Sequence, residues 1–297
     1  MSTISASSPC TASASSSDNS SKTWHARLHL DYRLEQGRTV ARHTHQGPLR
    51  ILQNLYPEGG AICHNVLVHP PGGLVGGDVL DISAHVASGA HGLATTPGAA
   101  RFYRSNGLPA VQRTRLALEP DARLEWLPLE ALAYDGCHAE NHLQLELARG
   151  AECLGWDVTA FGLPHAGQPF RRGRFLQHIE APGQWLERGL VDAEDALLMD
   201  GALGLAGQRC MASLFFVAGS PIARARREAA LDAARAIIDP HPLARWAGAT
   251  HPNPQTVVVR ALAPVVEPAM DLLKTLRAAW RTHFWQLPGT PPRIWSM

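Results

Sequence analysis

The sequence predicts a mainly β protein: a β-superhelix, or β-helical stack of short strands, with two α-helices in its C-terminal part. From Trp24 to about Phe216, short strand-like runs alternate with turn-forming residues, as is typical of all-β architecture. Two similar phrases, at 86–90 and 147–151, each end a strand with a small-residue turn. They indicate stacked strand–turn units, although two matches do not fix a repeat period. After residue 219 the composition becomes that of helices.

Five segments of strand-forming residues support the β-rich part. They are 51–55, 65–69, 79–86, 114–118 and 142–147. The last segment alternates cleanly, with Leu143, Leu145 and Leu147 on one face and polar residues on the other. Glycine-containing turn formers separate the segments, among them 57–60, 70–73, 106–107 and 135–136.

The C-terminal part predicts two helices with a strand between them. Ser220-Pro221 is a good helix start, because a hydroxyl cap precedes a proline at the first helical position. This helix runs to about Ile238, and residues 256–262 form the strand. The second helix covers 268–285. Its apolar face consists of Met270, Leu273, Leu276 and Trp280 at helical spacing, as core packing requires.

Composition limits the class of protein. The chain has 297 residues, 45% of them hydrophobic, which excludes wholesale disorder. Lys and Arg (27) balance Asp and Glu (26), so neither nucleic acid nor an anionic membrane is indicated as a partner. The Ser-rich residues 1–22 predict a disordered tail with no signal peptide, and 23–297 predict a single domain. We therefore expect a cytoplasmic protein.

The cysteines and histidines locate no metal site. The five cysteines are odd in number and scattered without a CxxC pair, which favours free thiols in a reducing cytosol. The fifteen histidines suggest metal or pH chemistry without placing it. The spacing of His43 and His45 would put both on one side of a strand. For this pair, and for His138 and His142, solvated or hydrogen-bonded histidines are the favoured explanation, so a tight preformed transition-metal site is not indicated, whereas a transient one stays open.

The usual catalytic motifs are missing from the sequence. It contains no GxSxG, no GxxxxGK[ST] and no HExxH. The glycine-rich segment 72–77 resembles a dinucleotide loop, but it lies between predicted strands and no helix follows it to bind a pyrophosphate. A tight turn or a close backbone approach explains these glycines better.

Several polar residues lie outside charge runs. Asp78, Asp135, Asp157 and Glu187 stand beside glycine or aromatic residues, and Asp78 and Asp135 could cap turns. Residues 101–104 form a basic-aromatic patch. It could be a binding surface, with Arg101 and Tyr103 as the contacts, or an ordinary strand with outward arginines.

Ordered blocks along the chain resemble the urease accessory protein family UreD, also called UreH. They are GPLR (47–50), LYPE (55–58), CH (63–64), HPPGG (69–73), GGD (76–78), TTPGAARFYRS (95–105), WLPLE (126–130), YDG (134–136), GWD (155–157), WLER (185–188) and PRIW (292–295). The resemblance covers roughly residues 24–297. Mild departures at Thr96, Arg101, Tyr134 and Asp157 question single ligand assignments and not membership.

The resemblance implies a β-rich superhelical fold with two helices and no catalysis by this chain. It implies assembly with UreF and with the GTPase UreG, and docking of that complex onto apo-urease. Nickel would then pass through the accessory proteins as a transient nickel(II) ion, with no tightly bound cofactor. Within the family-like blocks we expect the relay ligands to be Asp78, followed by Glu58, Asp157 and Glu187, since a dehydrated cation needs polar ligands that also release it.

Two other interpretations stay open from the sequence. One is a metal-dependent enzyme on a β-solenoid scaffold, which requires a compact His/Asp cluster and turnover by the isolated chain. The other is a scaffold protein without a metal path, in which substituting Asp78 would leave urease activation intact.

Overall fold

The computed structural model describes residues 24–296. The predicted tail at 1–22, which includes Cys10, lies outside the described residues. The strands are β1 (His25–Glu35), β2 (Arg38–Gln46), β3 (Arg50–Ile51), β4 (Ile62–Val68), β5 (Val79–Val86), β6 (His91–Thr95), β7 (Ala100–Phe102), β8 (Ala110–Leu118), β9 (Arg123–Leu127), β10 (Ala131–Ala133), β11 (Cys137–Leu147), β12 (Glu152–Leu163), β13 (Gln168–Pro169), β14 (Gly173–Ala181), β15 (Trp185–Asp192), β16 (Cys210–Ala218), β17 (Ala247–Asn253) and β18 (Thr256–Ala263). The helices are α1 (Ala196–Asp200), α2 (Arg224–Ile238) and α3 (Val266–Trp285), with 3-10 turns at Pro164–Ala166, Ala244–Trp246 and Arg293–Ser296.

Two sheets face each other across a solenoid of about four turns. The seven-stranded sheet has the order β15-β14-β11-β8-β5-β1-β2, and the eleven-stranded sheet follows β17-β18-β16-β12-β9-β6-β4-β3. Strands are parallel in the middle of both sheets and antiparallel at the ends. The short strand β10 pairs with β12 on one side and with β7 on the other. The predicted mainly β, β-helical fold is confirmed.

The turn that carries the chain between the two sheets recurs at 87–90, 119–122 and 148–151. In each turn the N–H of the fourth residue donates to the carbonyl of the first, at N···O distances of 3.0 to 3.1 Å. The third residue always has a positive φ: 71° at Gly89, 60° at Asp121 and 80° at Gly150. The two phrases noticed in the sequence are therefore members of one stack. The middle member was missed because Asp121 takes the place of glycine.

Backbone hydrogen bonds join the stacked turns directly. Arg123 N donates to Ala90 O (2.9 Å) and Glu152 N donates to Ala122 O (3.0 Å), each one coil further along the chain. Gly219, at the end of β16, closes the stack by donating to Ala151 O (2.8 Å). Each turn thus fixes the position of the next turn along the solenoid axis.

Apolar side chains form two cores. One fills the space between the two sheets, with Phe102, Phe161 and Phe175 among its fully buried members. The other lies between the outer face of the larger sheet and the helices α2 and α3. The predicted apolar face of α3 is buried there, with Trp280 fully inaccessible. Cys63, Cys137, Cys153 and Cys210 are buried free thiols, as predicted.

The helix boundaries differ slightly from the prediction. α2 begins at Arg224, later than Ser220, because the residues before it serve the solenoid. Ser220 Oγ accepts from Gly150 N (3.1 Å), and Ile222 N donates to Pro254 O (2.9 Å). α3 begins at Val266, two residues before the predicted start. Among residues 24–296, no helix is both long enough and apolar enough to cross a membrane.

A buried ion network fastens α3 to the larger sheet. Arg277 donates to Glu125 Oε2 from Nε (2.8 Å) and from Nη2 (2.6 Å). Arg281 Nε lies 3.1 Å from Glu125 Oε1, and its two terminal nitrogens donate to Glu58 at 2.9 and 3.1 Å. His64 shares Glu58 at 3.0 Å. The two guanidinium groups and two carboxylates are almost inaccessible to solvent, so each charge depends on its partners.

Glu125 is the centre of this network. Burial acts to raise its pKa, but the nearby His91, whose Nε2 lies 3.6 Å from Glu125 Oε1, and the charges of Arg277 and Arg281 outweigh it and hold the pKa at about 2. The carboxylate therefore stays ionised in the folded protein well below its usual range.

We expect Glu125→Gln to destabilise the fold by about 3–5 kcal/mol at pH 7, because it leaves two buried guanidinium groups with one carboxylate. In the wild type, the contribution of Glu125 is fully present above its ordinary pKa of 4.5 and is lost as the pH falls towards about 2. Denaturant unfolding at pH 7 and at decreasing pH measures both effects. Glu146→Gln, on the exposed end of β11, is the control. A loss below about 1 kcal/mol would contradict the assignment.

A second prediction concerns the closing of the turn stack. We expect Gly219→Ala to destabilise the protein by about 1–3 kcal/mol, because its Cβ would collide with the backbone carbonyl of Ala148. Gly189→Ala is the matched control, since a Cβ there meets no atom within 4 Å. Thermal unfolding of both variants gives the comparison, and equal stabilities would rule out the close approach.

Candidate functional site

A cavity of about 270 Å³ runs inside the solenoid between the two sheets. Most of its wall is apolar, with Leu67, Leu80, Ile82, Trp126 and Leu143 from both sheets. It reaches the surface at the segment 96–101, where Pro97 and Gly98 are exposed. We call this space the inner cavity.

A second space of about 300 Å³, the outer cavity, lies towards β18. Its polar lining residues are Asp157, Gln177, Glu187, Ser213 and Arg260. Asp157 lines both cavities, so the two spaces meet at this carboxylate.

Two rows of polar side chains face each other where the cavities meet. The row Gln112, Asn141 and Gln177 crosses the seven-stranded sheet, because these residues are register partners on β8, β11 and β14. The row Asp157, Ser213 and Arg260 crosses the larger sheet in the same way on β12, β16 and β18. Since register partners point to the same side of a sheet, each row is set by strand pairing alone. Together with Glu187 these residues form what we call the polar thread.

Hydrogen bonds connect the polar thread across the interior. Gln112 Nε2 donates to Asn141 Oδ1 (3.3 Å), and Asn141 Nδ2 donates to Asp157 Oδ2 (2.9 Å), which links the two sheets. Ser213 Oγ donates to Glu187 Oε1 (3.3 Å). The thread thus continues from the inner cavity, past Asp157, to a second carboxylate on β15.

Glu187 is neutralised where the thread ends. Arg260 donates to Glu187 Oε2 from Nε (2.9 Å) and from Nη2 (2.6 Å). The Arg260 side chain is 47% exposed and that of Glu187 is 27% exposed, so this ion pair stands where the outer cavity meets solvent.

Asp157 is the one carboxylate of the thread without a cationic partner among the described residues. It lies deep in the protein but is only partly buried, because its side chain lines both cavities. Burial raises its pKa to about 6, and the charge of Glu187 adds to this, against hydrogen bonds from Gln177, Thr159 and Asn141. Such a group readily exchanges a proton, and its ionised form attracts cations.

Of the four predicted relay ligands, the structure brings together only Asp157 and Glu187. The carboxylate of Asp78 accepts backbone N–H groups from Trp24 and Val75, each at 3.0 Å, and caps the turn before β5. Glu58 belongs to the ion network of α3, and its pKa is lowered by His64 and Arg281 in spite of burial. Neither Asp78 nor Glu58 lines the inner or the outer cavity.

The predicted partner-binding residues lie near the opening of the inner cavity. Arg101 lines this cavity beside the exposed 96–98 segment. Tyr103 packs against Tyr134, with ring centroids 4.9 Å apart. A Cβ on Gly73 would collide with the Tyr103 ring, so this glycine permits a close approach, as the sequence indicated. Strand β5, and no helix, follows the glycine-rich segment, which confirms that it is not a dinucleotide loop.

Sequence reasoning missed the neutral members of the polar thread and Arg260. One signal was available for Asn141, because it lies in phase with Leu143 and Leu145 and so points inward on β11. Gln177, Ser213 and Arg260 become neighbours only through strand pairing across distant parts of the chain. Among residues 24–296, no group of three or more His, Cys, Asp or Glu side chains is arranged to hold a metal ion.

Comparisons with known proteins agree on one family. The family model described as UreD urease accessory protein matches residues 25–296. A urease accessory protein UreD of Paracidovorax citrulli is 71% identical, over 93% of this chain and all of that protein. Those of Albidiferax ferrireducens and Methylibium petroleiphilum are 66% and 48% identical, over 93% and 92% of this chain and 100% and 99% of those proteins.

The raised pKa of Asp157 gives a testable pH dependence. The folded protein holds this proton up to about pH 6, whereas the unfolded chain releases it near 3.8, so the contribution of Asp157 to stability falls as the pH rises between these values. We expect Asp157→Asn to lack this fall. Relative to wild type, the variant should gain about 2–3 kcal/mol between pH 4 and pH 7. Denaturant unfolding at both pH values measures this, and a pH-independent difference would contradict it.

Proposed function

The chain belongs to the UreD family of urease accessory proteins, and we propose that, with UreF and UreG, it delivers nickel to apo-urease through its interior. Its relatives are named as accessory proteins to an enzyme, so the chain itself is not a catalyst. We infer that it acts as a chaperone within a cytoplasmic complex that assembles the urease metal centre.

The observation that carries the proposal is the polar thread through an otherwise apolar interior. A divalent cation cannot cross an apolar core without oxygen ligands, because desolvation of the bare ion is too costly. Amide, hydroxyl and carboxylate oxygens along the thread can replace part of its hydration shell. These ligands are hard and few at any one position, so they favour passage over tight binding.

Asp157 is the proposed central ligand. It lies where the inner and outer cavities meet, and the amides of Asn141 and Gln177 surround it. Above about pH 6 a cation arriving there would meet the ionised carboxylate, and at lower pH it would have to displace a proton. Glu187 then provides the next carboxylate towards solvent.

Asp78 and Glu58 stay predicted ligands, and both already have structural partners in the fold. The backbone turn uses Asp78, and Arg281 uses Glu58. Arg101 and Tyr103 stay the predicted partner contacts. A partner bound at this patch would lie over the opening of the inner cavity, which suits a handover of the ion.

A scaffold without a metal path is the alternative that needs a separate test. It accounts for the family name equally well, but it gives no reason for a polar thread across the core. Variants that alter the thread and preserve complex formation distinguish the two functions.

We expect Asp157→Asn to reduce nickel activation of urease at least about tenfold, because it removes the central ionisable ligand. The measurement is urease activity and nickel content after co-expression of apo-urease with UreF, UreG and the variant. Affinity purification should show that the complex still forms. Glu146→Gln, on the outer face, is the matched control.

The same assay tests the other predicted ligands. Asp78→Asn and Glu58→Gln should lower activation in proportion to lost stability if their roles are structural, and beyond it if they bind nickel. Full activation by Asp157→Asn, with the complex intact, would favour the scaffold without a metal path.

A further inference from the structure

The Arg260 guanidinium lies at the outer end of the polar thread. It holds Glu187 through two hydrogen bonds to one carboxylate oxygen. No other ion pair of Glu187 occurs among the described residues. Asp157 and Glu187 are therefore two neighbouring carboxylates, of which only the outer one carries a built-in counter-cation.

Strand pairing fixes the backbone position of Arg260, because the residue lies within a sheet and not in a loop. It lies in β18, opposite Ser213 of β16 and opposite Gly248 of β17. A Cβ added at Gly248 would meet no atom within 4 Å, so the space beside Arg260 is open. The side chain is anchored in the row of the thread but has room to move its charged end.

Without this guanidinium, the thread would offer a divalent cation a strong resting place. Two neighbouring carboxylates and the Ser213 hydroxyl are hard oxygen donors of the kind that hold divalent ions. A tight site would stop an ion that has to leave. A cation that binds both oxygens of Glu187 has to displace Arg260 from Oε2, and one that binds Oε1 is repelled by the positive charge of Arg260 at close range.

We propose that Arg260 is a positioning residue that keeps the Asp157–Glu187 pair from trapping the cation, by competing with it for Glu187. This inference rests on the proposed function, because trapping the cation is harmful only if the cation has to pass through. Its chemical content is independent of that function: Arg260 lowers the affinity of the two carboxylates for a divalent ion.

The test measures nickel binding by the purified full chain, with nickel chloride as the probe in titration calorimetry or equilibrium dialysis. Arg260→Gln should bind nickel about tenfold or more tightly than wild type, since it removes a full charge beside Glu187. Arg260→Lys keeps the charge and should stay within a few-fold of wild type. A merely structural salt bridge predicts the same or weaker binding in Arg260→Gln.

Two controls localise the effect. Arg188 follows Glu187 on β15 and points to the opposite side of the sheet, so Arg188→Gln should leave nickel affinity unchanged. Adding Glu187→Gln or Asp157→Asn to Arg260→Gln should abolish the gain. If Arg260→Gln does not fold, Arg260→Met, which retains the apolar stem, carries the same expectation.

Delivery is the second readout. In the co-expression assay, Arg260→Gln should activate urease more slowly although it binds nickel more tightly. Unchanged or weaker nickel binding by folded Arg260→Gln would overturn the inference. Full activation by Asp157→Asn would overturn the proposed passage instead, so the two failures can be told apart.

Discussion

The hydrogen bonding between successive coils is the constraint on which the rest of the structure depends. Each coil must be in register with the coil before it along the solenoid axis. The three stacked turns fix this register with N–H to carbonyl hydrogen bonds from one turn to the next. The strand register then extends along the parallel strands of both sheets. A one-residue slip in a strand would exchange its buried and exposed faces, so the turns also protect the core.

The helices α2 and α3 cover apolar surface that the solenoid alone would expose to solvent. The larger sheet has apolar residues on both faces, and α2 and α3 cover the outer one. Arg277 and Arg281 connect α3 to Glu125 and Glu58 in the middle of this interface, where apolar residues alone would give more stability per volume. Charged partners of fixed geometry instead determine one position of the helix, since any shift along its axis would leave buried charges unpaired.

Periodicity and turn chemistry predicted a β-rich stack with two C-terminal helices but located only about a third of the strands, and the family resemblance added the superhelix. The alternation in β11, the turns at Gly89 and Gly150 and the apolar stripe of α3 are local patterns, and the structure keeps them. Long-range pairings were not predictable from one sequence. Arg281 and Glu58 are 223 positions apart, and Arg260 and Glu187 are 73 apart. Family resemblance indicated Asp157 and Glu187, but they become neighbours only because the two sheets pack face to face, since β12 and β15 belong to different sheets.

The polar thread follows from the same stacking constraint. Because register partners point to one side, a single polar substitution in each of several adjacent strands suffices to build a continuous row through the core. Most row members form hydrogen bonds to a neighbour or to the facing row, which limits the cost of burying them, whereas Gln177 Oε1 is buried without a partner among the described residues. The two carboxylates differ in how they are balanced: Asp157 by hydrogen bonds from Asn141 and Thr159, and Glu187 by the charge of Arg260. A cation on the proposed passage would therefore meet one carboxylate, Glu187, that is already paired, and one, Asp157, that has no cationic partner among the described residues.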